Sequence, residues 1–248
     1  MLRKKDQGVE WLEFELLADQ PKLKHAIFLR HGGFSRGPYA SLNVGGGSGD
    51  ETTDIAKNRE KIAGILGVKS IVSAHQVHGC EIGQVSDLEF VGSCDALVTQ
   101  EKNCALLIKH ADCQAAIFYD PLQNVVANVH AGWRGSVQNI YAKTVAFLQE
   151  KYGSKPENLL VGISPSLGPN CAEFIHFRKE LPESFWEFQI KPTYFDFWAI
   201  SRIQLHEAGV LPHHIQVAEI CTFTDKNDFF SYRRDKVTGR HGTVAFLN

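Results

Sequence analysis

The sequence predicts an α/β fold of the α+β kind, with mixed sheets packed together and helices outside them. Three observations predict it. Strand-length apolar runs follow one another in the middle of the chain with no helix between them, which a simple doubly wound sheet does not allow. A few capped helical stretches lie before and after those runs. No linker, internal repeat or block of like charges divides the 248 residues, so residues 1–248 are read as a single domain with ample length for one core.

The elements follow in order. Residues 12–16, Leu-Glu-Phe-Glu-Leu, alternate apolar and acidic as a half-exposed strand does. Residues 26–29 form a second short strand. The stretch 31–50, HGGFSRGPYASLNVGGGSGD, holds too many glycines for a helix or strand. A loop that long in a compact domain is usually functional. Thr53 and Asp54 open a helix with Ile55, Ile62, Ile65 and Leu66 on one face, stopped by Gly67. Residues 71–74, 96–98, 105–108, 115–119 and 125–129 read as buried strands. Ser136 caps a helix running to about Tyr152, with Ile140, Val145 and Leu148 buried. Residues 159–161 form a strand that ends in the turn-rich GISPSLGPN. Asp196 caps a helix through Ala208, closed by Gly209. Residues 215–217 are a late strand, and the tail ends in a final one.

Composition excludes several classes. Lys and Arg number 26 against 28 Asp and Glu, a formal charge of −2. A dedicated nucleic-acid binder carries a basic excess instead, so no nucleic-acid partner is expected. The longest apolar runs are strand-length, whereas a membrane-spanning helix needs roughly 20 apolar residues. Glu10, Glu13 and Glu15 interrupt the apolar core that a signal peptide would need after the basic start. The 6 cysteines form no CxxC pair and no dense framework, which suits reduced thiols in a cytoplasmic protein.

Three segments carry residues suited to chemistry: SAHQVHG at 73–79, HADC at 110–113 and VHAGWRG at 129–135. Each lies at a strand end, where active sites of α/β folds gather. His78 and Cys113 are 35 residues apart and Cys113 and His130 are 17 apart, so no local zinc knuckle exists. A site assembled from three strand ends suits the residue types. Two imidazoles and a thiolate make a zinc set that leaves a fourth position open, as catalytic sites do. The alternatives are a core cysteine with two hydrogen-bonded histidines, and a metal-free pair in which His130 activates Cys113.

Neighbouring residues are weighed the same way. His110 and Cys113 point to opposite faces of a regular strand, so His110 reads as a surface or supporting histidine. His75 reads as a support for His78. Asp112 is placed to orient a ligand histidine or to move a proton. Asn43 and Arg59 follow the glycine-rich loop and become substrate contacts if that loop folds over the site. Trp133 reads as packing. Arg134 starts a helix, where an anion is also favoured.

Together the motifs resemble the "laccase-domain" family, also called multi-copper polyphenol oxidase-like. Its members include purine nucleoside phosphorylases and a bacterial peptidoglycan editing factor. RHGGFS, SLNVG, NREKI, QVHG, CDALVT, ADC, HAGWRG, PSLGP, CTF and SYRRD occur in the family's order across about residues 25–247. The resemblance implies a four-layer αββα fold and a zinc ion held by His78, Cys113 and His130. It departs from the family pattern at His110, Ala115, Ser164 and Ala172. These bear on the substrate pocket and leave the trio intact.

The implied function is phosphorolysis of adenosine, inosine and methylthioadenosine, with deamination of adenosine. Asp112 and Cys113 are the catalytic candidates. Asn43, Arg59 and Arg134 are the candidates for binding purine nucleoside and phosphate. A Cys–His hydrolase that edits cell-wall precursors uses the same residues. A copper-dependent phenol oxidase fits worse. A trinuclear copper centre needs paired histidines, and the chain has no His-x-His and only its initiating Met as an axial sulfur ligand.

Overall fold

The computed structural model describes residues 1–86 and 92–248. Fourteen strands and seven α-helices are defined among them. The first sheet holds β1 (Leu2–Asp6), β2 (Val9–Glu13), β3 (Leu23–Phe28), β4 (Ser70–Val72), β7 (Cys104–His110) and β14 (His241–Leu247). Its order is β1-β2-β3-β14-β7-β4. The second holds β5 (Ile82–Gln84), β6 (Ala96–Thr99), β8 (Gln114–Asp120), β9 (Val125–Ala131), β10 (Leu160–Ile163) and β13 (Ile215–Val217). Its order is β13-β10-β8-β9-β6-β5. A small hairpin pairs β11 (Gln189–Lys191) with β12 (Tyr194–Phe195). Both large sheets are mixed: β4–β7, β5–β6 and β10–β13 are parallel and the other pairs antiparallel.

Three apolar layers hold these sheets as the predicted αββα sandwich. Between the sheets, Ile27, Leu106 and Ala245 of the first meet Leu97, Ile117, Tyr119 and Val126 of the second. Outside the first sheet, Ile62 of α2 (Thr52–Leu66) packs on Phe28, Ala105, Val244 and Phe246. Outside the second, Phe118, Val129 and Val161 receive Tyr141, Val145 and Leu148 of α4 (Ile140–Tyr152) and Leu205 of α6 (Phe197–Glu207). Side chains alternate faces along a strand. Ile117 and Tyr119 therefore face the central layer while Ala116 and Phe118 face α4. With both faces buried, such strands read as unbroken apolar runs. Asn128 stitches the layers together, donating to Leu106 O and Thr243 O at 2.9 and 2.8 Å.

Several local expectations are corrected. The strand predicted over 12–16 ends at Glu13, and α1 (Glu15–Ala18) follows. Phe14 turns inward instead, its N–H donating to His25 Nε2 at 2.8 Å and its ring filling the space above Gly162. Ser136 does not cap the long helix. It lies in α3 (Trp133–Val137), and Asn139 caps α4 by accepting from Ala142 N. Asp196 caps α6 as expected, accepting from Trp198 N and Ala199 N. Two short helices, α5 (Phe177–Glu180) and α7 (Tyr232–Asp235), complete the set. Among the described residues, no helix is long and apolar enough to cross a membrane.

Candidate metal centre

The three predicted segments meet at one end of the second sheet. Cys113 stands just before β8, His130 near the end of β9, and His78 in the turn after β4. The register of β8 on β9 sets Ala115 opposite His130, which brings the thiol beside the imidazole. One potential ligand atom from each of the three side chains lies within 4.8 Å of the others. Cys113 Sγ is 4.0 Å from His78 Nε2. The His78 and His130 rings meet edge to face, with centroids 4.9 Å apart. Among the described residues this is the one His, Cys, Asp or Glu group so arranged.

Two features create the convergence. Gly132 is the first. A Cβ there would stand 2.9 Å from His78 Cδ2 and 3.1 Å from Cys113 Sγ, so any other residue would push the donors apart. Asp95 is the second. Its carboxylate is fully buried and accepts three consecutive backbone N–H groups, from Val77 (3.2 Å), His78 (3.0 Å) and Gly79 (2.7 Å). It also holds His130 Nδ1 at 2.8 Å. One side chain thus fixes the His78 turn, where His78 adopts φ 61°, and orients His130 with Nε2 free for a ligand.

The electrostatics suit a metal or an ion pair. Burial alone would raise the Cys113 thiol, but His130 and His78 overcome it and bring the thiol down to about 6. Burial would likewise lower His130, yet the Cys113 sulfur and Asp95 push it up to about 9. The donor chemistry, two imidazoles and a ready thiolate, matches what zinc accepts.

His78 and Cys113, with His130 buried next to them, line a cleft of about 600 Å³, a size that suits a small molecule. Asp112 and Arg134 also line it, with an aromatic wall from Trp133, Phe174 and Phe197. Arg134 stacks on the Trp133 ring at 4.4 Å. Two cations that the sequence did not single out, Arg233 and Lys236, line the cleft as well. Asp112 accepts from Thr222 Oγ1 at 2.7 Å and from Arg233 N at 2.6 Å. It therefore anchors the Arg233 segment and does not orient a ligand histidine; Asp95 has that task.

Other expectations fall outside the cleft. Asn43 is fully buried, accepting from Gly45 N and Arg240 N and donating to Asp50 Oδ2. Arg59 donates twice to Val44 O. Neither lines the cleft; both side chains are consumed in closing the glycine-rich loop on itself and on Arg240. His75 is exposed and His110 is buried against His241, 5.5 Å between rings, with Nε2 on Thr243 Oγ1. His110 is thus a buried histidine of the first sheet rather than a surface one; it supplies no donor to the trio but feels His130 and the Cys113 backbone, as a supporting histidine does.

Comparison with known proteins agrees with this architecture. Residues 24–248 match the family model described as multi-copper polyphenol oxidoreductase laccase. The purine nucleoside phosphorylase YlmD of Geobacillus stearothermophilus is 35% identical over 240 residues, covering 88% of this chain and 87% of the relative. The purine nucleoside phosphorylase YfiH of Escherichia coli is 31% identical, covering 88% and 91%. The structure superposes on the hypothetical protein YfiH of Bacillus licheniformis with a TM-score of 0.90 at 27% identity, covering 99% of each chain. It matches the YlmD structure from Geobacillus stearothermophilus with a TM-score of 0.88 at 31% identity, covering 99% and 98%.

Proposed function

The chain belongs to the multi-copper polyphenol oxidoreductase laccase family, and from that premise we propose that it is a zinc-dependent purine nucleoside enzyme. It cleaves adenosine, inosine and methylthioadenosine with phosphate to free base and ribose 1-phosphate, and deaminates adenosine. Residues 1–248 act as one catalytic domain. One observation carries the reading: His78, Cys113 and His130 converge beside a cleft that also presents an aromatic wall and three cations.

His78, Cys113 and His130 would hold the zinc. Bound there, zinc supplies Lewis acidity, polarising an oxygen and making water a stronger acid. A set of three donors suits a single ion and falls short of a three-copper cluster.

The chain's own groups supply the rest. Trp133 and Phe174 offer faces against which a purine stacks. Arg134, Arg233 and Lys236 hold phosphate against the sugar. As phosphate oxygen bonds to the anomeric carbon and the glycosidic bond breaks, positive charge develops on the sugar, and the positioned phosphate offsets it. The departing base takes up a proton. In deamination, water adds to the amino-bearing purine carbon and ammonia leaves, with Asp112 carrying the proton on its carboxylate. Asn43 and Arg59 act at one remove, by holding the glycine-rich loop.

The test incubates purified protein with adenosine and phosphate and follows adenine, ribose 1-phosphate and inosine, with bound metal measured on the same sample. Products and stoichiometric zinc are expected, and Cys113→Ala abolishes both activities. Turnover retained in a metal-free protein overturns the zinc role. The lowered Cys113 thiol beside a raised His130 also favours a second reading, a Cys–His hydrolase that edits peptidoglycan precursors. Inert nucleosides together with hydrolysis of such precursors would select it.

A further inference from the structure

Outside the metal centre, two cysteines far apart in sequence come together behind the cleft wall. Cys171 follows the turn after β10, and Cys221 follows β13. An isolated parallel bridge pairs Ser166 with Cys221, with Ser166 N donating to Ile220 O and Thr222 N to Ser166 O. Gly168 N then donates to Cys221 Sγ at 3.2 Å. Gly168 also makes the space: a Cβ there would lie 2.9 Å from Cys221 Cβ and 3.1 Å from its sulfur. The turn closes with Cys171 N donating to Gly168 O at 2.9 Å. Gly168 thus touches both cysteines, its carbonyl holding Cys171 N and its N–H the Cys221 sulfur, which sets the two thiols on one turn. Both side chains are half-buried, so a small reagent reaches them.

We infer that Cys171 and Cys221 are a reversible redox pair, which a low-molecular-weight disulfide converts to an intramolecular disulfide. The two thiols are chemically unlike. Burial raises Cys221, but N–H groups of Thr224, Gly168 and Phe223 and the Thr224 hydroxyl outweigh it and lower the thiol. Burial and Cys221 push Cys171 up to about 11. Cys221 is therefore the attacking thiolate. Its sulfur bonds to one sulfur of the small disulfide, whose S–S bond breaks and releases one small thiolate. Cys171 then loses its proton and attacks Cys221 sulfur, releasing the second small thiolate. Two protein thiols are oxidised and one small disulfide is reduced to two thiols.

The bond would tie together two segments that build the cleft. Leu167, Ala172 and Glu173 around Cys171 line it, and the Cys221 segment reaches it through a lining residue, Asp112. Thr222, next to Cys221, holds Asp112. The remaining cysteines differ. Cys94 and Cys104 are buried with thiols pushed up to about 11. Cys80 has Lys143 and Gln138 as its neighbours and Cys113 has the two histidines. A small disulfide leaves these as single adducts or untouched.

The experiment treats the full chain with oxidised glutathione, blocks free thiols by alkylation, and maps digested peptides by mass spectrometry. The expected product is a glutathione-free peptide pair joining Cys171 to Cys221, dominant over any other linkage. Dithiothreitol reverses it. In Cys171→Ser, Cys221 is recovered as a mixed disulfide with glutathione. A rise in melting temperature on oxidation is expected for the parent and is lost in that variant. Recovery of both cysteines as alkylated thiols, or only as separate glutathione adducts in the parent, overturns the inference. Mapping the parent needs no variant to fold.

Discussion

Replacing Asp95 by Asn tests how the candidate metal centre is held together. The change preserves shape and removes the charge and one acceptor oxygen. In the parent, Oδ2 accepts from Val77 N and Gly79 N, while Oδ1 accepts from His78 N and pairs with His130 Nδ1. If the amide oxygen takes the Oδ1 position, the new NH₂ faces two N–H donors. Two partly buried donors then lose their acceptor, at up to about 1–3 kcal/mol each, so up to about 2–6 kcal/mol in all. The opposite orientation strands His78 N and His130 instead. For a chain of this length about 2–4 °C accompanies each kcal/mol, so the melting temperature falls by about 4–24 °C. Loss of a carboxylate that orients a ligand histidine also weakens metal binding by about 10–100-fold. Melting is followed by circular dichroism and zinc affinity by competition with a chelator. A variant that melts with the parent and holds zinc unchanged would refute the clamp. The two readouts separate the clamp from the metal, because the stability loss needs no zinc. The charge adds a pH signature. Burial opposes ionisation of Asp95, but His130 and the N–H groups hold its carboxyl below the usual range. A folded value below the unfolded one stabilises above the unfolded value of about 4 and is lost as pH falls through the folded value. The Asn variant lacks that acid limb.

Three further outcomes follow from the same geometry. Gly132→Ala inserts a Cβ against His78 and Cys113 at a backbone φ of −77° that alanine accepts; zinc affinity measured by chelator competition should fall at least about tenfold, and an unchanged affinity would show that the donors do not need this closeness. Arg134→Ala removes an exposed cleft cation; KM for phosphate should rise about tenfold or more, as for a lost charge-assisted contact, with the melting temperature unmoved, and an unchanged KM counts against its role. Acid stability should report the buried histidines: burial lowers His25 to about 4, with Lys24 assisting, and lowers His241 to about 3, with Arg30, Arg240 and Arg234 assisting. Folded values below the unfolded 6.5 mean that stability present above pH 6.5 is lost as pH falls, by about 1.4 kcal/mol per unit per histidine. Urea midpoints that stay level between pH 6.5 and 4 would contradict this.

The trio was legible because each member sits in a short polar motif ending an apolar run, and such ends gather at one edge of a sheet. The central strands were legible for a related reason: with both faces buried, most of their positions are apolar. Asp95 was not singled out. Nothing around it in CDALVT reveals that its carboxylate meets a turn 17 residues earlier and a histidine 35 residues later. Asn43 and Arg59 misled for the converse reason. Their polarity is spent on backbone groups of the loop that carries Asn43, and only the folded loop shows it. The first strand, LRKKD, is exposed along its whole length, so it lacks the alternation by which strands are read; its pairing with β2 makes it a strand. His110 is no donor beside Cys113, but the face of β7 that carries it is covered by Thr243 and His241, so it is buried and not at the surface.

The position of β14 has a consequence for synthesis. These seven residues lie between β3 and β7, so more than two hundred residues separate them from the first strand they join. A nascent chain must hold β7, and with it the segment leading to Cys113, without its central neighbour until residues 241–247 clear the ribosome. Until then β3 and β7 present open edges, the kind that invite pairing with other chains. Chaperone demand should therefore persist until residues 241–247 have emerged, and ribosome-stalled chains ending before His241 should be sensitive to proteases along β7.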